Sequence, residues 1–364
     1  MVAQDVPRVC IVGPLPPPSG GMANQCEQLL RLLQQDGVAV ELVRNNAPYW
    51  PAWIGHIPLI RAGARLVPYL VRLWVATGRA QVLHVFANSG WAWHLFAAPA
   101  VVTARLRGTA VIVNYRGGYA DQFLGHGPKH VQSTLRRASL RVTPSRFLQR
   151  VFANYGLDAE VVPNIIDLTR FVAVPPRFFG DAPNIVVARN LEPIYDIGTA
   201  IRALVHIREQ FAGATLTVAG NGPELERLRA LVTKLGLDGA VRFTGRVENS
   251  AMPALYAQAD CVVNTSTVDN MPISLLEAFA SGLPVVSTDA GGIPDMLTHG
   301  VSGLLVPVGD AAAMAKEVCR VLAEPGLALC LAQAGRAEAE KYAWPQVRAL
   351  WLDAYRRAAS GAAA

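Results

Sequence analysis

Charge is scarce in this chain: only 16% of its 364 residues are Asp, Glu, Lys or Arg, against 52% hydrophobic. That balance excludes a disordered polypeptide and supplies enough apolar surface for large cores. Cysteine is equally thin. Cys10, Cys26, Cys261, Cys319 and Cys330 are odd in number, widely spaced and set mostly in apolar runs, which excludes a disulfide framework and reads as reduced core residues. No Asp-x-Asp triplet occurs, and the seven histidines show no paired spacing with cysteines or carboxylates, so neither a metal nor another cofactor is expected. No basic segment followed by an apolar core and a cleavage site opens the chain; Val2 to Val12 reads as a short strand, and the expected location is cytoplasmic. The uncharged stretch Ala80 to Ala104 is long enough to suggest a membrane span, but Gln81, His84, Asn88, Ser89, Gly90 and His94 interrupt it. It parses instead as strand VLHVF, a turn, and helix WAWHLFAAPAVVTARL.

The length exceeds a comfortable single core and predicts two domains. Charge divides unevenly between the halves: the net charge of +6 is the sum of +9 over residues 1–172 and −3 over residues 173–364. The arginines of the basic half are scattered and lack interleaved aromatic stacking motifs or a reading helix, so a nucleic-acid partner is not expected. The densest part is IPLIRAGARLVPYLVRLWVATGR, where Arg61, Arg65 and Arg72 recur near helical spacing among apolar residues. Two readings stand: a helix lying peripherally on the inner face of an anionic membrane, or a surface helix packed on the core with its arginines in water. Pro68 predicts a kink in either.

Along the chain, short β-branched strands alternate with helical periodicity: RVCIVG, VAVELV, VLHVF, AVIVNY and LRVTPS in the first half, then NIVVAR, ATLTVAG, AVRFTG, CVVNTS, PVVSTD and GLLVPV. The pattern predicts an α/β fold of two Rossmann-like, doubly wound parallel sheets covered on both faces. Pro175, Pro176, Gly180 and Pro183 place the linker within residues 171–183. The expected domains are residues 1–172, residues 173–340 and a returning helix over residues 341–364, with the site in a cleft between the halves at the carboxyl ends of the strands.

The most informative stretch is residues 264–309, NTSTVDNMPISLLEAFASGLPVVSTDAGGIPDMLTHGVSGLLVPVGD. Pro272 sits where a helix begins, after Asp269 and Asn270, so free backbone N–H groups and the positive dipole end suit a diphosphate. Asp269 lies before the helix and Glu277 about one and a half turns inside it, so the two carboxylates accept hydrogen bonds at different depths. This segment resembles the donor-binding signature of the retaining GT-B glycosyltransferases of the family 4 group, with Asp269 in place of the first of two glutamates eight positions apart. The likeness covers nearly the whole chain in conserved motif order, including VAGNGPELERLRALVTKLGLDGAVRFTGRVENSAMPALYAQAD.

The resemblance implies that Asp269 contacts hydroxyls of the transferred sugar, that Glu277 holds the ribose, and that Asn270, Met271, Pro272, Ser274 and Leu275 line the donor site. Arg246 and Val247 fall near the base, and Gly20 and Gly21 allow close approach to donor or acceptor. Arg189 matches the family's phosphate-binding arginine, whereas Tyr195 stands where a lysine is expected. Arg116, at a position where the family commonly has a histidine, is the candidate to replace the lost cation. The implied reaction is metal-independent transfer of a sugar from a UDP- or GDP-linked donor to a glycan, lipid-linked or small-molecule acceptor hydroxyl, with retention. Two alternatives remain open, a noncatalytic nucleotide-sugar-binding subunit and a GT-B nucleotide-sugar epimerase. His84 and His94, among apolar neighbours, read as core residues.

Overall fold

A computed structural model describes residues 6–49, 53, 57–173 and 182–362. The chain divides into two compact units, one formed by Met1–Ile165 with Trp344–Ala364 and the other by Ile166–Ala343. The first boundary lies ahead of the proline cluster on which the sequence placed it. Ile166 and Phe171 are the reason: both are buried in the core of the second unit, so the chain has entered that unit before the prolines begin. Residues 174–181 of the expected linker lie outside the described residues. The chain leaves and re-enters at one place, where the Ile166 N–H donates to the Tyr342 carbonyl at 3.0 Å.

The first unit holds six parallel strands, β1 (Val9–Gly13), β2 (Val40–Arg44), β3 (Val82–Ala87), β4 (Ala110–Tyr115), β5 (Leu140–Thr143) and β6 (Glu160–Val161), ordered β2-β1-β3-β4-β5-β6. The residues of β1 explain why it is an interior strand. Val9 and Ile11 point into one layer with Leu29 and Trp351, while Cys10 and Val12 point into the other with Leu73 and Trp93. A strand apolar on both faces is stable only when helices cover both. One cover is the C-terminal helix Trp344–Ala362, which packs on β3 and β4 and buries Val347, Trp351, Leu352 and Tyr355.

The second unit repeats the design with β7 (Asn184–Ala188), β8 (Thr215–Ala219), β9 (Val241–Gly245), β10 (Cys261–Asn264), β11 (Val285–Thr288) and β12 (Leu304–Val306), ordered β12-β11-β10-β7-β8-β9 and all parallel. The chain runs outward from β7 through β8 to β9, then returns to lay β10 on the other side of β7. The β7/β10 pair is therefore the point at which strand order reverses, where open α/β sheets take their ligands at the carboxyl ends. Each unit is thus a doubly wound parallel α/β domain, as the alternation of strands and helices along the chain predicts.

Several local expectations need amendment. The helix Pro58–Thr77 continues past Pro68 as one element. The helix after β3 contains a π turn over Trp93–Ala97, which falls where Pro99 supplies no N–H to the carbonyl of Leu95. All five cysteines are free, but Cys330 is exposed and Cys319 half-buried, because the apolar runs around them belong to amphipathic helices with an outer face. Among the described residues no single helix is long and apolar enough to cross a membrane. Ala311–Ala323 and Pro325–Glu340 pass by composition only as a pair bent by 102°, and their Met314, Val318, Val321 and Leu331 are buried in the second unit's core.

Candidate functional site

At the carboxyl end of β7, the first residue beyond the strand is Arg189. At the carboxyl end of β10, the loop Thr265–Pro272 brings Asp269 against it, and the Arg189 Nη2 donates to Asp269 Oδ2 in an ion pair that is almost wholly buried. The guanidinium sits over the Tyr195 ring, with Cζ 3.9 Å from the ring centroid. Tyr195 is itself fixed by the same loop, since the Thr265 hydroxyl donates to its carbonyl at 2.9 Å and the Thr267 N–H to that of Ile194 at 2.8 Å. The aromatic face thus takes up the position of the expected lysine and orients the remaining cation. Arg189 Nε is buried without a hydrogen-bond partner among the described residues. A buried donor without a partner is costly unless something else supplies an acceptor.

Asp269 is held from every side. Burial pushes its carboxyl above the usual carboxylate range, opposed by Arg189, by the N–H groups of Asn270 and Met271 and by the Ser266 hydroxyl, 3.3 Å away. Its own carbonyl accepts from the Gly292 N–H at 2.7 Å. Gly291 permits that approach: φ is +59°, and a Cβ there would stand 2.2 Å from the Asp269 carbonyl oxygen. Gly220 plays the same part beneath Arg189, where a Cβ would meet the Arg189 carbonyl oxygen at 1.9 Å. Neither glycine carried a role in the sequence reading; the GG and AGNG turns were visible, but not the loops they press against.

Glu277 lies inside the short helix Ile273–Ala280, buried, with Oε2 3.1 Å from the Tyr256 hydroxyl. Burial raises its carboxyl to about 7, with the Tyr256 bond and Arg170 pulling the other way. The Tyr256 hydroxyl also reaches the Ser274 carbonyl at 3.2 Å. Tyr256 went unrecognised because it sits in an ordinary amphipathic pattern. Met271 and Leu275 are buried in the second unit's core, so their side chains pack rather than point outward, while Pro272 is the N-cap residue. Arg246 is exposed and Val247 half-buried beyond β9, at the far edge of the sheet from β11 and β12.

Three residues of the sequence-based set belong to the first unit. Gly20 is the N-cap of the helix Gly21–Gln35, with φ −178° and open space where a Cβ would go, so the protein's own packing does not require glycine there. Arg116 follows β4; its Nη1 donates to Asn164 Oδ1, its Nε to Asn114 Oδ1 at 3.3 Å, and its Cζ stands 5.0 Å from the Phe86 ring centroid. Burial lowers it to about 10. The Asn114 amide lies 3.0 Å from His84 Nε2, whose Nδ1 is 2.9 Å from the Tyr355 hydroxyl. Burial holds His84 at about 3, so it is a neutral core residue. His94 instead pairs with His130, the ring nitrogens 3.2 Å apart near the surface.

Comparison with known proteins fits this geometry. Residues 174–338 match the model for glycosyl transferases group 1, and residues 19–170 that for glycosyltransferase family 4. A glycogen synthase of Mycobacterium tuberculosis is 30% identical over 80% of this chain and 71% of its own length. The chain belongs to the family 4, group 1 glycosyltransferases. Among relatives in the family, a GDP-mannose-dependent phosphatidylinositol monomannoside mannosyltransferase of M. tuberculosis is 33% identical over 192 residues, and the match spans about half the length of each protein. The corresponding Mycolicibacterium smegmatis enzyme is 29% identical over 90% of this chain and 92% of its own. In fold, the chain resembles Anabaena HepE, crystallised with UDP and glucose, with a TM-score of 0.73 at 19% identity over 96% and 99% of the two chains.

Proposed function

We propose that this glycosyltransferase moves a sugar from a nucleoside-diphosphate sugar to an acceptor hydroxyl, with retention at the anomeric carbon and without a metal. The bond from the anomeric carbon to the donor phosphate oxygen breaks, and a bond to the acceptor oxygen forms. The nucleoside diphosphate leaves, and a donor phosphate oxygen takes up the acceptor proton. The observation that carries the reading is Arg189 at the strand-order reversal, set over the Tyr195 ring, ion-paired, and with a buried Nε that has no acceptor among the described residues. A diphosphate supplies that acceptor and the charge it complements. Asp269 then takes sugar hydroxyls and Glu277 the ribose, while Asn270, Pro272 and Ser274 present the helix start and Arg246 and Val247 the base surround.

Relatives named for GDP-mannose and a structural neighbour holding UDP support a UDP- or GDP-linked donor, and lipid-linked and glycan substrates among the relatives support those acceptor classes. The cation placed at the reversal is Arg189, and charge neutralisation of the leaving diphosphate is assigned to it. Thermal unfolding with UDP, GDP, ADP and their sugar conjugates tests the reading, because a ligand stabilises the state that binds it. One nucleotide series should raise the Tm of the wild type, and that of Arg189→Ala by clearly less at the same concentration. Equal shifts in both proteins, or none with any nucleotide, would remove Arg189 from the donor site.

A further inference from the structure

The helix Pro58–Thr77 carries an apolar stripe on its outer side as well as its inner one. Tyr69, Leu73 and Ala76 face the core. Val67, Val71, Trp74 and Val75, spaced at i, i+4, i+7 and i+8, face outward, with Val67 62%, Val71 60% and Trp74 48% exposed. Leu70 widens the stripe. A water-facing helix surface ordinarily carries charge, and a contiguous apolar row marks an interaction face.

The charge around it says what it meets. Between Glu41 and Asp121 the sequence contains no acidic residue and eight arginines. Arg72 and Arg79, both exposed and two turns apart, run along one flank of the stripe. On the other side Arg107 lies over the Trp74 ring, Cζ 4.7 Å from the centroid. Gly78 makes room for it, since a Cβ there would stand 2.2 Å from Arg107 Nη2. A second copy of the chain is a poor occupant, because a two-fold contact through this face sets arginine against arginine.

We infer that this face docks on an anionic lipid bilayer, the helix lying in the interfacial plane with Val67, Val71, Trp74 and Val75 sunk among the acyl chains and the arginines at the phosphate level. Aliphatic stems beside the stripe add apolar area while their guanidinium ends reach the headgroups, and tryptophan suits the boundary depth. The face is part of the first unit's own surface and does not depend on the sugar-transfer reading.

Co-sedimentation of the full chain with phosphatidylcholine vesicles, with and without phosphatidylglycerol, tests it. The wild type should bind only the phosphatidylglycerol-containing vesicles and release as salt is raised. Arg72→Ala/Arg79→Ala should bind ~30-fold more weakly, two basic contacts being removed. Val71→Asp/Trp74→Asp should lose binding while keeping the wild-type Tm, since both side chains are exposed. Absence of wild-type binding, or equal binding by all three proteins, overturns the inference. So does light scattering that shows a wild-type dimer which Val71→Asp/Trp74→Asp splits. No sugar nucleotide enters the assay, so failure here leaves the donor reading standing.

Discussion

At the scale of single residues the account rests on how Arg189 and Glu277 are held. Arg189→Ala removes the partner of a buried carboxylate and should cost about 3 kcal/mol in denaturant unfolding, besides weakening nucleotide binding roughly 10- to 100-fold in calorimetry. Tyr195→Ala keeps the charge but removes the surface on which it lies, so a smaller loss of about 5-fold is expected. Glu277 makes a pH prediction. Its folded value of about 7 exceeds its ordinary 4.5, so the folded state keeps the proton longer, and stability falls as pH rises from the lower value through the higher. Above that window ionised Glu277 costs up to ~3 kcal/mol. Glu277→Gln should therefore gain on the wild type between about pH 5 and about pH 8 in denaturant unfolding; a constant difference would contradict the burial of the carboxylate. Arg189, Asp269 and Glu277 were singled out in the sequence by the family resemblance, and the structure sets Arg189 against Asp269. The stacking role of Tyr195 was not, because a substituted residue shows only what is missing, and its new contact depends on where the Thr265–Thr267 loop passes.

At the scale of elements the site is a set of loop ends pressed together. Gly291→Ala forces a left-handed backbone and a backbone clash at Asp269, and a loss of about 3 kcal/mol is expected, with nucleotide binding weakened because the Asp269 loop must shift. Strands and their order of appearance were legible, since apolar β-branched runs of this length announce buried parallel strands. The inner and outer faces of Pro58–Thr77 were not: its arginines mark one narrow stripe with apolar residues on either side of it, and only the packing of Tyr69 and Leu73 tells which apolar side is covered. The proline cluster misled for a related reason. Pro175 and Pro176 break regular structure, but the unit boundary is set by which core Ile166 and Phe171 enter.

For the whole molecule, the chain makes two sheets of one design and spends its last helix on the first. Trp344–Ala362 buries Trp351 and Tyr355 over β3 and β4, and Tyr355 completes the His84 hydrogen bonds. Truncation after Lys341 should therefore abolish activity and unfold the first unit, read as loss of near-ultraviolet circular dichroism; a folded truncation that still turns over would refute the dependence. The central claim, that the β7/β10 reversal binds and activates a sugar donor, is tested most directly by release of nucleotide from a panel of UDP- and GDP-sugars. The account predicts slow release of UDP or GDP from one donor series by the wild type and none by Glu277→Ala. Tight binding without release from any donor, or equal release by both proteins, would contradict it.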